Sequence, residues 1–202
     1  MYVNHQYVRL DTLSATNKKI ISAYKKLPIS LVWGNNQMAS ADGIRYTTPQ
    51  RSLYSRSNPK YFGRSRGVTF YIFVSDQYIG FHGMVVPGTL RDSLYLLDGF
   101  LNQTSGLEPK QIMTDTTGYS DLVFGLFGLL GFQFSPRIAN NHGTKLWRID
   151  LTADYKMLNE VSQNKINTTR IEKNWDEILR VAGSLKSGKV NATELTKALQ
   201  RN

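Results

Sequence analysis

Between Gln111 and Phe134 the chain reads QIMTDTTGYSDLVFGLFGLLGFQF. A short apolar run ends at Asp115, a polar Thr-Thr-Gly-Tyr-Ser stretch follows, and from Asp121 the pattern turns apolar nearly all round through Leu122, Val123, Phe124, Leu126, Phe127, Leu129 and Leu130. The pattern predicts a strand over Gln111–Thr114, a turn, a buried helix over Asp121–Leu130 with Ser120 as its N-cap, and a strand over Phe132–Ile138. Open α/β sheets place ligand chemistry at the carboxyl ends of parallel strands, so Asp115 is the first residue to ask about.

The remaining elements follow from the same periodicities. Leu13, Ile20, Ile21, Tyr24 and Leu27 form a helical stripe from Asp11 to Leu27, with Lys18, Lys19, Lys25 and Lys26 on the other side and Pro28 as its stop. Gln37–Thr47 predicts a strand between the Trp33-Gly-Asn-Asn36 turn and Pro49, with the small residues Ala39, Ser40, Ala41 and Gly43 around Asp42. Space beside a carboxylate in a sheet suits a hydrated metal ion or a phosphate backbone, although an Asp-Gly hairpin turn is the commoner setting. Gly67–Ser75 alternates as a strand covered on both faces, and Ile79–Val86 pairs with it through an Asp76-Gln77-Tyr78 turn. His82 lies in that second strand, remote in sequence from His5 and His142, which speaks against a histidine metal cluster. Thr89 caps a helix to about Gln103, marked by Leu90, Leu94, Leu97, Phe100 and Leu101.

Three strands able to pair antiparallel, then helix, strand, helix, strand, predict an α/β fold: a ribonuclease H-like mixed five-stranded sheet flanked by helices, with the Asp42 strand beside the Asp115 strand. Beyond Trp147 the pattern is helical and charged without a sheet signal. It predicts a weak helix over Asp154–Gln163, a stronger one over Ile171–Leu185, and a last helix opened by an Asn191/Glu194 capping box. The expected division is an N-terminal helical segment over residues 1–30, a partial catalytic core over 31–148, and a helical appendage over 149–202.

Composition narrows the chemistry. The 202 residues are 41% apolar and carry a net charge of +10, which favours a polyanionic partner. The absence of cysteine excludes disulfides, thiolate catalysis and cysteine-based zinc sites. No stretch is long and apolar enough to span a bilayer and MYVNHQYVRL lacks a signal-peptide core, so a soluble, cytoplasmic protein with no membrane partner is expected. The charge concentrates in RSLYSRSNPKYFGRSR, where Arg51, Arg56, Lys60, Arg64 and Arg66 interleave with Tyr54, Tyr61 and Phe62 and no acid intervenes. Its Ser, Asn, Pro and Gly content reads as a long loop that binds DNA through phosphate contacts and ring stacking; a solvated flexible loop is the plain alternative.

Two aspartates 73 residues apart, on strands expected to be neighbours, are what two-metal phosphoryl transfer requires. The runs SADG around Asp42, NPKYFGRSRGVTFY at 58–71, VSDQY at 74–78, MTDTTGYSDLVFGL at 113–126, LLGFQFSPRI at 129–138 and NWDEILRVAGSLK at 174–186 closely resemble the catalytic region of the Tn-three family of replicative bacterial transposases. That resemblance implies a DDE enzyme using two magnesium ions for DNA cleavage and strand transfer at transposon ends, with Asp42 as the first acid and Asp115 as the second. It implies DNA, both transposon ends and target, as partner, and self-association in the full-length protein. The family's third acid, a glutamate further downstream, and its end-recognition domains have no counterpart here, so a fragment inactive alone is expected. Two other readings stay open: a non-catalytic DNA-binding remnant that interferes with an intact transposase, and a ribonuclease H-like nuclease whose third acid is Glu160 or Glu172.

Overall fold

A computed structural model describes residues 8–87, 93–139 and 146–199. Thr89, Leu90, His5 and His142 lie outside the described residues, as does the side chain of Leu94. The five expected strands are present: β1 Met38–Thr47, β3 Arg66–Ser75, β4 Gly80–Pro87, β5 Gln111–Thr114 and β6 Gln133–Pro136, with a short sixth, β2 Arg56–Ser57, added. β3 runs antiparallel to β1, and its outer edge is shared by β2 and β4, both antiparallel to it. On the other side of β1 come β5 and then β6, each parallel to its neighbour. Three antiparallel strands with two parallel ones beyond the first is the ribonuclease H type of sheet.

Period-two alternation decides which face is core. Ala39 and Ala41 of β1, Tyr71 and Phe73 of β3, Val86 of β4 and Ile112 of β5 are all buried on one face. Two helices close it: Ser93–Leu101 through Leu96, Leu97 and Phe100, and Asp121–Leu129 through Val123, Leu126 and Phe127. Phe127 stacks on Phe134 of β6 at 5.0 Å between ring centroids. Gly99 lets the first of these helices approach closely, since a Cβ there would stand 2.5 Å from the Phe73 ring.

The N-terminal helix, α1 Leu10–Tyr24, is followed by a short helix, α2 Ser30–Trp33, that the periodicity did not predict. α1 is tied to the sheet by Asn17, whose amide donates to the Gly80 carbonyl, and by Tyr24, whose hydroxyl donates to the Gln77 carbonyl. The helices named above are α4 (Ser93–Leu101) and α5 (Asp121–Leu129); α3 is a single turn, Pro59–Phe62.

The C-terminal part departs from expectation in three places. The weak helix over Asp154–Gln163 is only a 3₁₀ turn at Lys156–Leu158. Asp154 accepts from the Lys156 N–H and the Asn159 amide, and Asp150 from the Thr152 N–H and hydroxyl, so side chains take the donors that a helix would have used. Those bonds hold both carboxyls below the usual range, the Thr152 hydroxyl being the main cause for Asp150 and the Lys156 N–H for Asp154. A small parallel pair, β7 Trp147–Arg148 with β8 Asn164–Lys165, stands where no strand was expected. The single helix expected over Ile171–Leu185 is two, α6 Thr168–Lys173 and α7 Trp175–Lys186, divided at Asn174, whose φ of −111° is not helical. The last helix, α8 Ala192–Leu199, is capped from a distance: Asp98 of α4 accepts from the Ala192 N–H at 2.6 Å, the Thr193 N–H at 2.8 Å and the Thr193 hydroxyl. Among the described residues no helix is long and apolar enough to cross a membrane.

Candidate metal and nucleic-acid site

The parallel ladder between β1 and β5 pairs Ala39 with Ile112, Ser40 with Met113 and Ala41 with Thr114, and there it ends. The next residue on β1 is Asp42 and the next on β5 is Asp115. Adjacent strands lie about 4.8 Å apart, so each acid follows directly on the last paired residue of its strand. Both are exposed. Asp42 sits in mid-strand opposite Ile72 of β3, and Ile72 pairs in turn with Gly83 of β4, so the row beside the carboxylate ends in a residue without a side chain. The hairpin-turn alternative for Asp42 is thereby excluded. Its Oδ1 accepts from the Gly43 N–H at 2.7 Å.

Asp115 opens the turn between β5 and α5. Its Oδ1 accepts from the Gly118 N–H at 3.2 Å, which orients the carboxyl against a 3₁₀ turn at Thr116–Gly118. Gly118 is needed for that approach, because a Cβ there would lie 2.6 Å from the Thr114 hydroxyl. Ser120 caps α5, its hydroxyl accepting from the Val123 N–H at 3.3 Å. Tyr119 donates to Asp121 at 2.5 Å, and burial, reinforced by that bond, pushes its phenol up to about 12. Tyr119 therefore stays protonated and neutral at any working pH.

Other aspartates are committed to the backbone. Asp76 accepts from the N–H groups of Asn35, Asn36 and Met38, and Asp98 holds the start of α8. Both are structural clasps that the linear pattern gave no reason to single out. Among the described residues no three His, Cys, Asp or Glu side chains group together as a metal site. Neither Glu160 nor Glu172 therefore joins Asp42 and Asp115, and Glu172 lines a separate apolar cleft with Ile149, Ile166, Ile171 and Trp175. Among the described residues the nuclease reading therefore finds no third acid in Glu160 or Glu172.

The basic stretch is pinned where a long loop was expected. Arg56 pairs with Gly67 and Ser57 with Arg66, the Thr48 N–H donates to the Arg66 carbonyl, and the Thr48 and Ser55 hydroxyls bond each other. Asn58 caps α3 by accepting from the Lys60 N–H. Phe62 is buried against Gly67, so its ring cannot stack on a base. Tyr61 carries the Arg45 guanidinium 4.0 Å from its ring centroid and the Lys60 ammonium at 5.1 Å. Tyr54 remains exposed. Arg45 joins this basic cluster from within β1, a contribution invisible to a reading that stopped at the loop. Arg51, Arg56, Lys60, Arg64 and Arg66 are all exposed. Along β1 the cluster begins at Arg45, three residues or about 10 Å from Asp42, and extends beyond Thr47.

Comparison with known proteins shows the family. A family model described as the Tn3 transposase DDE domain matches residues 1–202, and the chain belongs to that family. It is 47% identical over 201 residues to the transposase for transposon gamma-delta of Escherichia coli (strain K12), covering 100% of this chain and 20% of that protein. It is 42% identical over 201 residues to the transposase for transposon Tn4556 of Streptomyces fradiae, covering 22% of that one. The chain thus spans about a fifth of the length of these curated relatives. Among solved structures, the Mos1 strand transfer complex aligns over 86% of this chain and 57% of that one, at 14% identity and a TM-score of 0.35.

Proposed function

We propose that this chain is part of the catalytic region of a bacterial transposase that cuts transposon ends and joins them to target DNA, with Asp42 and Asp115 holding divalent magnesium at the scissile phosphodiester. The observation that supports this reading is the β1–β5 register, which ends at Ala41 and Thr114, one residue before an exposed aspartate on each chain segment. Magnesium is bound in such enzymes by one or two carboxylates together with substrate phosphates, and two exposed carboxylates fit that requirement. When bound, the metal would supply charge stabilisation for in-line displacement at phosphorus. The chain's own part is to carry the two carboxylates on neighbouring strand ends and to orient Asp115 through the Gly118 N–H.

Arg51, Arg56, Lys60, Arg64 and Arg66 would then contact DNA phosphates away from the chemical centre, preorganised by β2 and α3. Residues 31–148 carry the catalytic core in this reading, flanked by residues 1–30 and 149–202. The complete protein would work on DNA in the bacterial cytoplasm and self-associate, while this chain alone would lack a third acid and be inactive.

The test is magnesium-dependent nicking of a transposon-end duplex. In a full-length transposase containing this chain, Asp42→Asn or Asp115→Asn should each lower the rate by several powers of ten, by analogy with other catalytic groups that act as a unit. Nicking at the parental rate in either variant overturns the assignment. Nicking by residues 1–202 alone would overturn the inactivity of the isolated chain.

A further inference from the structure

The carboxyl end of β6 carries a charged residue that the basic stretch at 51–66 does not include. The β5–β6 ladder pairs Thr114 with Pro136 last, and the residues that follow directly are Asp115 on one segment and Arg137 on the other. The two segments stay tied beyond the ladder. The Arg137 N–H donates to the Thr114 carbonyl at 2.8 Å, and the Ala139 N–H donates to the Thr116 hydroxyl at 3.2 Å. Both residues flanking Asp115 are thus bonded to the segment that carries Arg137. Arg137 is exposed, and among the described residues its guanidinium makes no ion pair or hydrogen bond. β5 stands between β1 and β6 in the sheet, so Asp115 has the Asp42 strand on one side and the Arg137 strand on the other.

We propose that Arg137 is a DNA-contacting residue whose guanidinium holds the phosphate next to the scissile one, on the β6 side of the two acids. The inference rests on the reading of Asp42 and Asp115 as the metal-holding pair, and adds to it the direction in which the cut strand runs, across the strand ends from β1 towards β6. Two carboxylates repel an approaching phosphodiester, and a fixed cation beside them offsets that repulsion. Arginine suits the place, because its planar fork gives two parallel donors to phosphate oxygens and it stays charged at any working pH. The scissile phosphate itself belongs between Asp42 and Asp115. Arg137 stands one strand further on, about 4.8 Å beyond β5, so it meets the adjacent phosphate of the same strand. Its two backbone ties to the Asp115 turn keep that spacing fixed, so the same turn that orients the carboxylate also sets where the DNA backbone is gripped.

The test uses a full-length transposase containing this chain, a transposon-end duplex, and two versions of that duplex in which the phosphate immediately 5′ or 3′ of the scissile one is a neutral methylphosphonate. Affinity is measured without magnesium. Arg137→Ala should weaken binding of the natural duplex about ten-fold or more, the size of a lost charge-assisted contact, and a methylphosphonate at one of the two positions should weaken the parent to a like extent. The two losses should not multiply: on that modified duplex Arg137→Ala and the parent should bind within about two-fold of each other, as partners in one contact do. Arg137→Lys, which keeps the charge without the fork, should fall between. Parental affinity of Arg137→Ala for the natural duplex overturns the proposal. So do losses that multiply at both positions, which is the result that a misfolded variant or a purely structural arginine would give. No nicking enters this readout, so its failure leaves the Asp42 and Asp115 assignment standing, and parental nicking in the aspartate variants would remove that assignment without touching the affinities.

Discussion

Replacing Asp98 should detach the C-terminal helix from the core. The carboxylate is 5% exposed and takes three donors from the start of α8, which lies more than ninety residues away in the chain. Hydrogen bonds to a charged acceptor contribute about 1.5–3 kcal/mol each, and loss of an N-cap alone costs about 0.5–2 kcal/mol. The Thr193 N–H has a substitute, because the Asn191 side chain also accepts from it at 2.9 Å. The Ala192 N–H, at 2.6 Å from Asp98, loses its acceptor, so Asp98→Ala should destabilise the chain by about 1.5–3 kcal/mol. Asp98→Asn keeps one acceptor oxygen and should cost roughly half as much. Urea denaturation measures both values, and trypsin cleavage at Lys189, next to the released helix, should accelerate in step. Variants within about 0.5 kcal/mol of the parent would refute the reasoning, since surface substitutions without a structural role fall in that range.

Three further outcomes are expected. Gly99→Ala sets a methyl 2.5 Å from the Phe73 ring and 2.9 Å from the Met84 sulfur, so overpacking should lower stability by about 1–3 kcal/mol in the same urea assay. His82 has its pKa lowered by burial, so below about pH 6.5 the unfolded chain takes up a proton that the folded one resists. Stability should therefore fall as pH drops from 7 towards 5, and His82→Gln should flatten that part of the denaturation profile. Neutralising Arg51, Arg56, Lys60, Arg64 and Arg66 together should reduce the slope of log affinity against log salt by about 4–5 for duplex DNA, and an unchanged slope would remove them from the interface.

The order of elements and the two candidate acids were legible in the sequence because periodicity, caps and turns are local. The apolar run from Leu122, the Ser120 cap and the alternation in Gly67–Ser75 each predicted the kind of element found, but not its cover: Phe124 and Leu129 of the helix and Phe70 of the strand are exposed, where burial all round and on both faces was expected. Local pattern misled where side chains compete with the backbone: Asp154 makes a turn in a stretch that counted as helix, and Asn174 divides a helix whose apolar stripe runs through it. The basic loop was legible as charge but not as structure, because its order comes from pairing with Arg66 and Gly67 and from Phe62 lying on Gly67.

What the sequence determined alone is therefore a list of strands and helices in order, with Asp42 and Asp115 at positions suited to chemistry. Tertiary structure decided that those two acids follow the last paired residues of adjacent strands, and that Asp76 and Asp98 are committed to backbone donors. The reason is that adjacency across a sheet is set by hydrogen-bond register between segments remote in the chain, and no window of neighbouring residues contains that information.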